Sequence, residues 1–482
     1  MLPHEYLSQQ HRRTFLRTSG LGLGGAALAT MMNPKLLKAE MAPTGLGVEP
    51  GRAGFPNLPA RVKRVIFLYM SGGPSQFETF DYKPELEKMD GQPMPESFTK
   101  GQPIAQLQGQ ELRCLGPRAK FAKYGANGQE ISDFLPWTAK IADDITIIRS
   151  MTTDQINHDP AHTVMNTGTS ISGRPSMGSW ITYGLGSEAD DLPGFVVLTS
   201  TGGRNPQPIS SRQWATGFLP SRFQGVEFQS AGDPVHYVRN PKGISPERQR
   251  RLVDTVHALN GLRNDLVDNP EIQTRIAAYE MAFRMQTGVP KLMDFSEEPQ
   301  HVLDMYGTQG ADGSFAANCL LARRLAERGV RFIQLYHRGW DHHGDLVKFM
   351  TTCTELTDRP AYALVNDLKQ RGMLDDTLVV WGGEFGRTPM FQGKGEDPGR
   401  DHHIRGFSMW LAGGGIKPGI TYGASDDLGY NAAENKTHVR DLHATMLQLL
   451  GIDHNRLTYK YQGLDFKLTG VDPAHVVKDI LA

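Results

Sequence analysis

Two short stretches each set an acid beside a pair of histidines. Arg338–Asp345 reads RGWDHHGD, and Gly399–Gly406 reads GRDHHIRG. Histidine is scarce, 16 in 482 residues, so chance rarely makes Asp-His-His twice. Carboxylate oxygen and imidazole nitrogen are the donors that hold hard or borderline divalent cations. An acid and a histidine from one loop, joined by the same pair from the other, could hold one or two metal ions. Paired ions can clamp the attacking and leaving oxygens of a phosphoryl or similar transfer. Neighbouring side chains on extended backbone point opposite ways, so one histidine per triplet should face the cation while the other packs. His343 and His402 are the favoured facing pair. A lone loop histidine is most often a solvated group; the repeat of the triplet is what weighs against that reading.

Further candidates surround these triplets. Glu384 and Arg387 lie in GGEFGRT, just after an apolar run. Glu384 suits a ligand or base role, or simply a helix-start acid. Arg387 suits an oxyanion contact, or an ordinary salt bridge to Glu384 or Asp401. His158 and His162 are four apart in NHDPAHT, and they share a face if a helix starts early enough, ahead of Pro160. Thr163, Thr167, Ser71 and Ser75 carry hydroxyls that would need a base or metal to become nucleophiles. His438 and His443 read as capping or packing groups of the last helix.

The elements that must position these residues alternate. VKRVIFLYM (62–70), ITIIRS (145–150), GFVVLTS (194–200), VRFIQLYHR (330–338), DTLVVWGG (376–383) and GFSMWLAGGG (406–415) read as buried strands. Between them lie helical patterns: 160–168, FAANCLLARRLAERG, a long region 346–371 interrupted at Pro360, and 439–451. Residues 244–305 carry many charges and no strand, so they read as a helical insertion. Strands alternating with helices predict an α/β fold with a mostly parallel sheet covered on both faces. Ligands of such sheets bind beyond the carboxyl ends of the strands. SGGPS, the first Asp-His-His and Glu384 each follow a strand, which places them on one rim.

Composition narrows the function. With 51 basic and 52 acidic residues the net charge is −1, which excludes the basic excess of a nucleic-acid binder. No run of eighteen apolar residues occurs, so no membrane-spanning helix is expected. Arg12-Arg13, a Gly/Ala/Leu-rich stretch and Ala27-Leu28-Ala29 form the pattern of a twin-arginine export signal over residues 1–29. A linker over 30–60 and one domain over 61–475 should follow, in the periplasm or outside the cell. The three cysteines, Cys114, Cys319 and Cys353, have no CxxC spacing.

RRTFLR, VIFLYMSGGPSQFETFDYKPEL, NHDPAHTVMNTG, GWDHHGD, GGEFGRTP, GRDHH, FSMWLAGGGIKPG and DLHATMLQLLGIDHNRLTY occur in this order. Together they resemble the exported family catalogued as domain of unknown function number fifteen hundred and one. That family is placed in the alkaline-phosphatase-like superfamily, alongside sulfatases and phosphopentomutases. The resemblance implies a three-layer α/β/α sandwich with a metal site at the sheet rim. It implies Asp341, His343 and His402 as ligands of one metal, with Asp401 and Glu384 helping or holding a second. The pattern departs from the superfamily in two places. SGGPS follows the first strand with no acid before Glu78, and Glu384-Phe385 stands where an Asp-His pair is usual. The Cys-x-Pro-x-Arg signature of sulfatases is absent, so no formylglycine is expected; Thr163 falls roughly where a nucleophile belongs. The leading expectation is an exported metal-dependent hydrolase of sulfate or phosphate esters. It would use zinc, calcium, magnesium or manganese on a sulfated or phosphorylated small molecule or glycan. The rival is a non-catalytic member of the fold that binds a glycan or protein at the cell surface.

Overall fold

The computed structural model describes residues 51–203, 207–235, 244–267, 270–393 and 396–482. The expected export signal and most of the expected linker fall outside them.

The sheet is built from strands β1 (Arg64–Met70), β2 (Ile145–Thr152), β3 (Phe195–Thr199), β4 (Val226–Phe228), β5 (Phe332–His337), β6 (Thr377–Gly382), β7 (Phe407–Gly413), β8 (Ile420–Tyr422) and β9 (Thr437–His438). Their order is β8-β2-β7-β6-β1-β5-β3-β4, with β9 paired to β2. All pairings are parallel except those of β7, which runs against both β6 and β2. Each strand read from its apolar run is present, trimmed by one to three residues at its ends or, for β2, extended by two. The short strands β4, β8 and β9 were not anticipated.

Strand β1 shows why the fold has three layers. Ile66, Leu68 and Met70 enter one apolar core, and Val65, Phe67 and Tyr69 enter the other. Successive side chains of a strand leave on opposite faces, so a strand apolar throughout needs cover on both. One face is covered by helices α5 (Phe315–Glu327) and α6 (Leu346–Gln370). The other is covered by α1 (His158–Thr167), α2 (Met177–Leu185) and α7 (Val439–Leu449). The expected α/β/α sandwich is therefore observed. Between β4 and β5 lie α3 (Pro246–Val267) and α4 (Pro270–Met293), where the helical insertion was expected. Helix α4 buries Met285, Val289 and Leu292 in the first core.

Two expectations change. Helix α6 runs through Pro360 without a break. Cys353 and Thr357 before the proline, and Ala361, Leu364 and Leu368 after it, are all buried. Packing on both sides outweighs the lost backbone bond. The packed body also exceeds 61–475. The Asn57 amide donates to Gly451 O at 2.9 Å, and the Ala482 amide donates to Gly415 O at 2.8 Å. All three cysteines are free and buried.

Register sets the rim. Met70 pairs with His337, Tyr69 with Gly382, and Thr199 with Tyr336. The exits of β1, β3, β5 and β6 are thus level, and the loops that leave them are neighbours.

Candidate metal centre

Five segments meet at this rim. The exit of β1 supplies Ser71-Gly72-Gly73, the exit of β5 supplies Asp341 and His343, and the exit of β6 supplies Glu384 and Arg387. Helix α1 supplies His158 and His162. A two-residue ribbon, His402–His403 paired with Gly386–Arg387, supplies His402.

Around Asp341 stand three imidazoles. His343 Nε2 lies 2.9 Å from Asp341 Oδ1, His402 Nε2 3.1 Å from the same oxygen, and His158 Nε2 3.2 Å from Oδ2. The Nε2 atoms of His343 and His402 are 3.0 Å apart. One donor atom from each of His158, Asp341, His343 and His402 fits within 4.8 Å of the others. Each imidazole is tethered through its other nitrogen. His158 Nδ1 meets Glu384 Oε1 at 2.7 Å, His343 Nδ1 meets Gln392 Oε1 at 2.6 Å, and His402 Nδ1 meets Ile156 O at 2.9 Å. All three partners are acceptors, so each Nδ1 carries the hydrogen and donates it. Each neutral ring then turns an Nε2 lone pair toward one carboxylate. Three lone pairs and an anion at such distances repel unless a cation or proton lies between them.

The charge state follows. Burial alone would raise the Asp341 pKa, but the Arg387 guanidinium and the three histidines hold it well below the usual carboxylate range. Burial lowers that of His402 to about 4. Burial also opposes a charge on His158, but its hydrogen bonds to Asp341 and Glu384 outweigh this, and its pKa is raised. In the absence of a metal, a proton between the two acids is the natural substitute.

Behind this open cluster lies a closed one, formed by His158, His162 and Glu384. Glu384 is fully buried, and both its oxygens accept from the Gly72 amide, at 3.0 and 3.2 Å. Gly72 has φ +124°, and a β-carbon there would sit 2.5 Å from the Asp341 amide, so only glycine lets these loops meet. His162 sits between Tyr69 Oη (2.8 Å) and Ser71 Oγ (3.3 Å), and burial lowers its pKa to about 4. The buried Phe385 ring packs against His158 and His402, with centroids 5.0 and 4.6 Å away.

The residues singled out from sequence take different places. Asp341, His343 and His402 converge. His342 and His403 turn away, to Gly339 O at 2.9 Å and to Tyr430 O. Asp401 does not face the cluster. Its Oδ2 accepts from the Gln106 and Leu107 amides at 2.6 and 3.0 Å, and its Oδ1 accepts from the His402 amide at 2.9 Å. Arg387 is not free for an oxyanion, nor paired with Glu384 or Asp401. It donates to Gly73 O (2.9 Å), Arg400 O (3.1 Å), Gly72 O and Asp341 Oδ1 (2.7 Å). It fixes Asp341 and ties three loops together. Thr163 Oγ1 donates to Asp159 O at 3.0 Å within its own helix. Glu384 stands behind His158 rather than beside Asp341. The residue underweighted from sequence is His158. Helix α1 begins at His158, two residues before Pro160, so the i, i+4 pair with His162 does share a face.

The sequence model of the family described as "Protein of unknown function (DUF1501)" matches residues 62–481. No curated protein matches. Among solved structures, the chain is similar to the lipoteichoic acid synthase LtaP from Listeria monocytogenes, at 12% identity and TM-score 0.33, covering 91% of this chain and 80% of that one. It is similar to the phosphonate monoester hydrolase SpPMH from Silicibacter pomeroyi, at 11% identity and TM-score 0.32, covering 80% and 73%. It is also similar to a protein in the alkaline phosphatase superfamily from Vibrio parahaemolyticus, at 10% identity and TM-score 0.33, covering 87% and 74%. The family match spans nearly all of the packed domain, and the chain belongs to the DUF1501 family.

Proposed function

We propose that the rim cluster holds one divalent cation and that the protein is an exported hydrolase of sulfate or phosphate esters, acting in the periplasm or outside the cell. The observation that carries the metal reading is the set of three tethered imidazoles, each turning Nε2 onto Asp341. Three nitrogens and one carboxylate suit zinc or manganese better than calcium or magnesium, which prefer all-oxygen shells. A bound cation would polarise an ester oxygen and acidify a water molecule. The chain's own residues do the rest. Glu384, Gln392 and Ile156 O fix the ring tautomers, as outer partners of metal-binding histidines do. Arg387 keeps Asp341 ionised, and Phe385 shields two of the rings. Glu384 is assigned here to support of His158 and not to a second metal.

A second reading has its own support. The expected nucleophile Thr163 is engaged within α1, and Ser71 is buried against His162. A metal-bearing surface protein that binds a glycan or another protein without cleaving it would also fit. Elemental analysis of the purified chain with Asp341→Ala as control comes first. A stoichiometric transition metal lost in the variant supports the cation, and a metal-free wild type sinks both the cation and the hydrolase. A panel of sulfate and phosphate esters comes next. Turnover by the metal-loaded protein supports hydrolysis, and inactivity across the panel favours the binding reading.

A further inference from the structure

A cavity of about 590 Å³ opens beyond the ends of β3, β4 and β5. That volume is typical of small-molecule sites. Its walls carry hydroxyls and an amide (Thr199, Ser200, Thr201, Ser230, Gln229), one acid (Glu227) and one cation (Arg338). Ala231 and three glycines with positive φ, Gly202, Gly203 and Gly313, complete it. Among the described residues no aromatic ring and no bulky aliphatic side chain lines it.

Three buried polar atoms around the cavity have no hydrogen-bond partner among the described residues: His337 Nε2, Asn318 Nδ2 and Arg338 Nε. His337 and Asn318 are completely buried. Each is held by a hydroxyl of the wall. His337 Nδ1 meets Ser200 Oγ at 2.8 Å, and Asn318 Oδ1 accepts from Ser230 Oγ at 2.5 Å. Ser200 Oγ itself donates to Tyr336 O at 3.1 Å, so His337 Nδ1 is the donor to Ser200 and Nε2 is left as an acceptor. Burial lowers the His337 pKa to about 4, which keeps the ring neutral. A β-carbon on Gly202 would stand 3.7 Å from His337 Cε1, the carbon between the two ring nitrogens. The imidazole therefore lies just beneath the glycine floor. Buried polar groups without partners are rare in native proteins and call for a ligand or a solvent role.

We propose that this cavity binds a sugar ring bearing a sulfate or carboxylate, with the anionic group against Arg338. A polyol matches a wall that mixes donors and acceptors and lacks apolar surface. An anion matches Arg338, which forms no ion pair among the described residues, whereas Glu227 is held by Thr199 Oγ1 at 3.1 Å. Arg338 and Asp341 are three residues apart, so their Cα atoms are at most about 11 Å apart. The site stands without any hydrolysis.

The test is saturation-transfer NMR on the full chain in EDTA, with D-glucose 6-sulfate, D-glucuronate, D-glucose and inorganic sulfate as probes. At least one charged sugar should bind, and which one does assigns the anion as sulfate or carboxylate. D-glucose should bind about tenfold more weakly, and inorganic sulfate should not displace the bound sugar. Arg338→Gln should weaken binding about tenfold, the loss of one charge-assisted contact. Ala231→Phe fills the cavity from an exposed wall position and should abolish binding with little change in Tm. Failure of both charged sugars to bind overturns the proposal. So does signal that survives both Arg338→Gln and Ala231→Phe, or displacement by inorganic sulfate.

Discussion

The same triplet, Asp-His-His, occurs twice at one rim, yet its acids have opposite fates. Asp341 lies at the centre of three imidazoles and one guanidinium, whereas Asp401 turns from the cluster and accepts three backbone amides. The difference comes from what the backbone offers. Asp341 follows Trp340, whose amide is bonded to Ser71 O, so its loop is folded over the exit of β1. Asp401 begins a ribbon beside two amides of the 106–107 turn that lack another acceptor, and a carboxylate satisfies such donors first. Residue type suggests a ligand, but the nearest unsatisfied groups decide whether it becomes one. Asp401 still serves the site, since the turn it pins carries Gln106, whose Nε2 lies 3.2 Å from His343 Nε2.

The largest test of this contrast is Asp341→Ala. It should weaken metal binding by about a hundredfold or more and leave Arg387 buried without its acid. The stability loss should be about 3–5 kcal/mol, by metal titration and urea unfolding. Gln392→Leu removes only a tether of His343, and should cost about tenfold in metal affinity with little change in Tm. Asp401→Ala should invert the pattern, with metal affinity within about threefold of wild type and stability lower by about 2–3 kcal/mol. An Asp401→Ala protein that loses its metal as Asp341→Ala does would erase the distinction. The smallest effect concerns a histidine with no acid to share. His443 is fully buried with Nε2 on Met165 O, and burial lowers its pKa to about 4. A depressed imidazole contributes stability above its unfolded pKa of about 6.5, lost as pH falls toward 4. His443→Gln should therefore flatten the acid-side stability loss by about 2 kcal/mol, read from unfolding at pH 7 and pH 4.5.

Much of the architecture is written locally. Strands buried on both faces are short apolar runs, and β1, β5 and β6 are found at the positions those runs mark. The facing of His343 and His402 follows from alternation along extended chain. Other features depend on distant partners and leave no local trace. Asp401 is captured by amides 294 and 295 positions away, and Arg387 by carbonyls of Gly72 and Gly73. Strand β4 is three residues long with Glu227 at its centre, so no apolar run announces it, and with it the cavity wall goes unread. His158 was legible as a candidate, but Pro160 obscured where its helix begins.

The reversed direction of β7 has a consequence for how this surface can diversify. The parallel strands deliver their exits to the rim, while β7 delivers its entrance there. The chain between β6 and β7 therefore departs from the rim and returns to it. Glu384 and Arg387 lie near the departure, and His402 near the return. Residues of this excursion other than Gln392 and Asp397 could change without shifting either strand or the groups pinned at its two feet. Relatives that keep the histidine–aspartate cluster while changing what is admitted to it should differ first in that span.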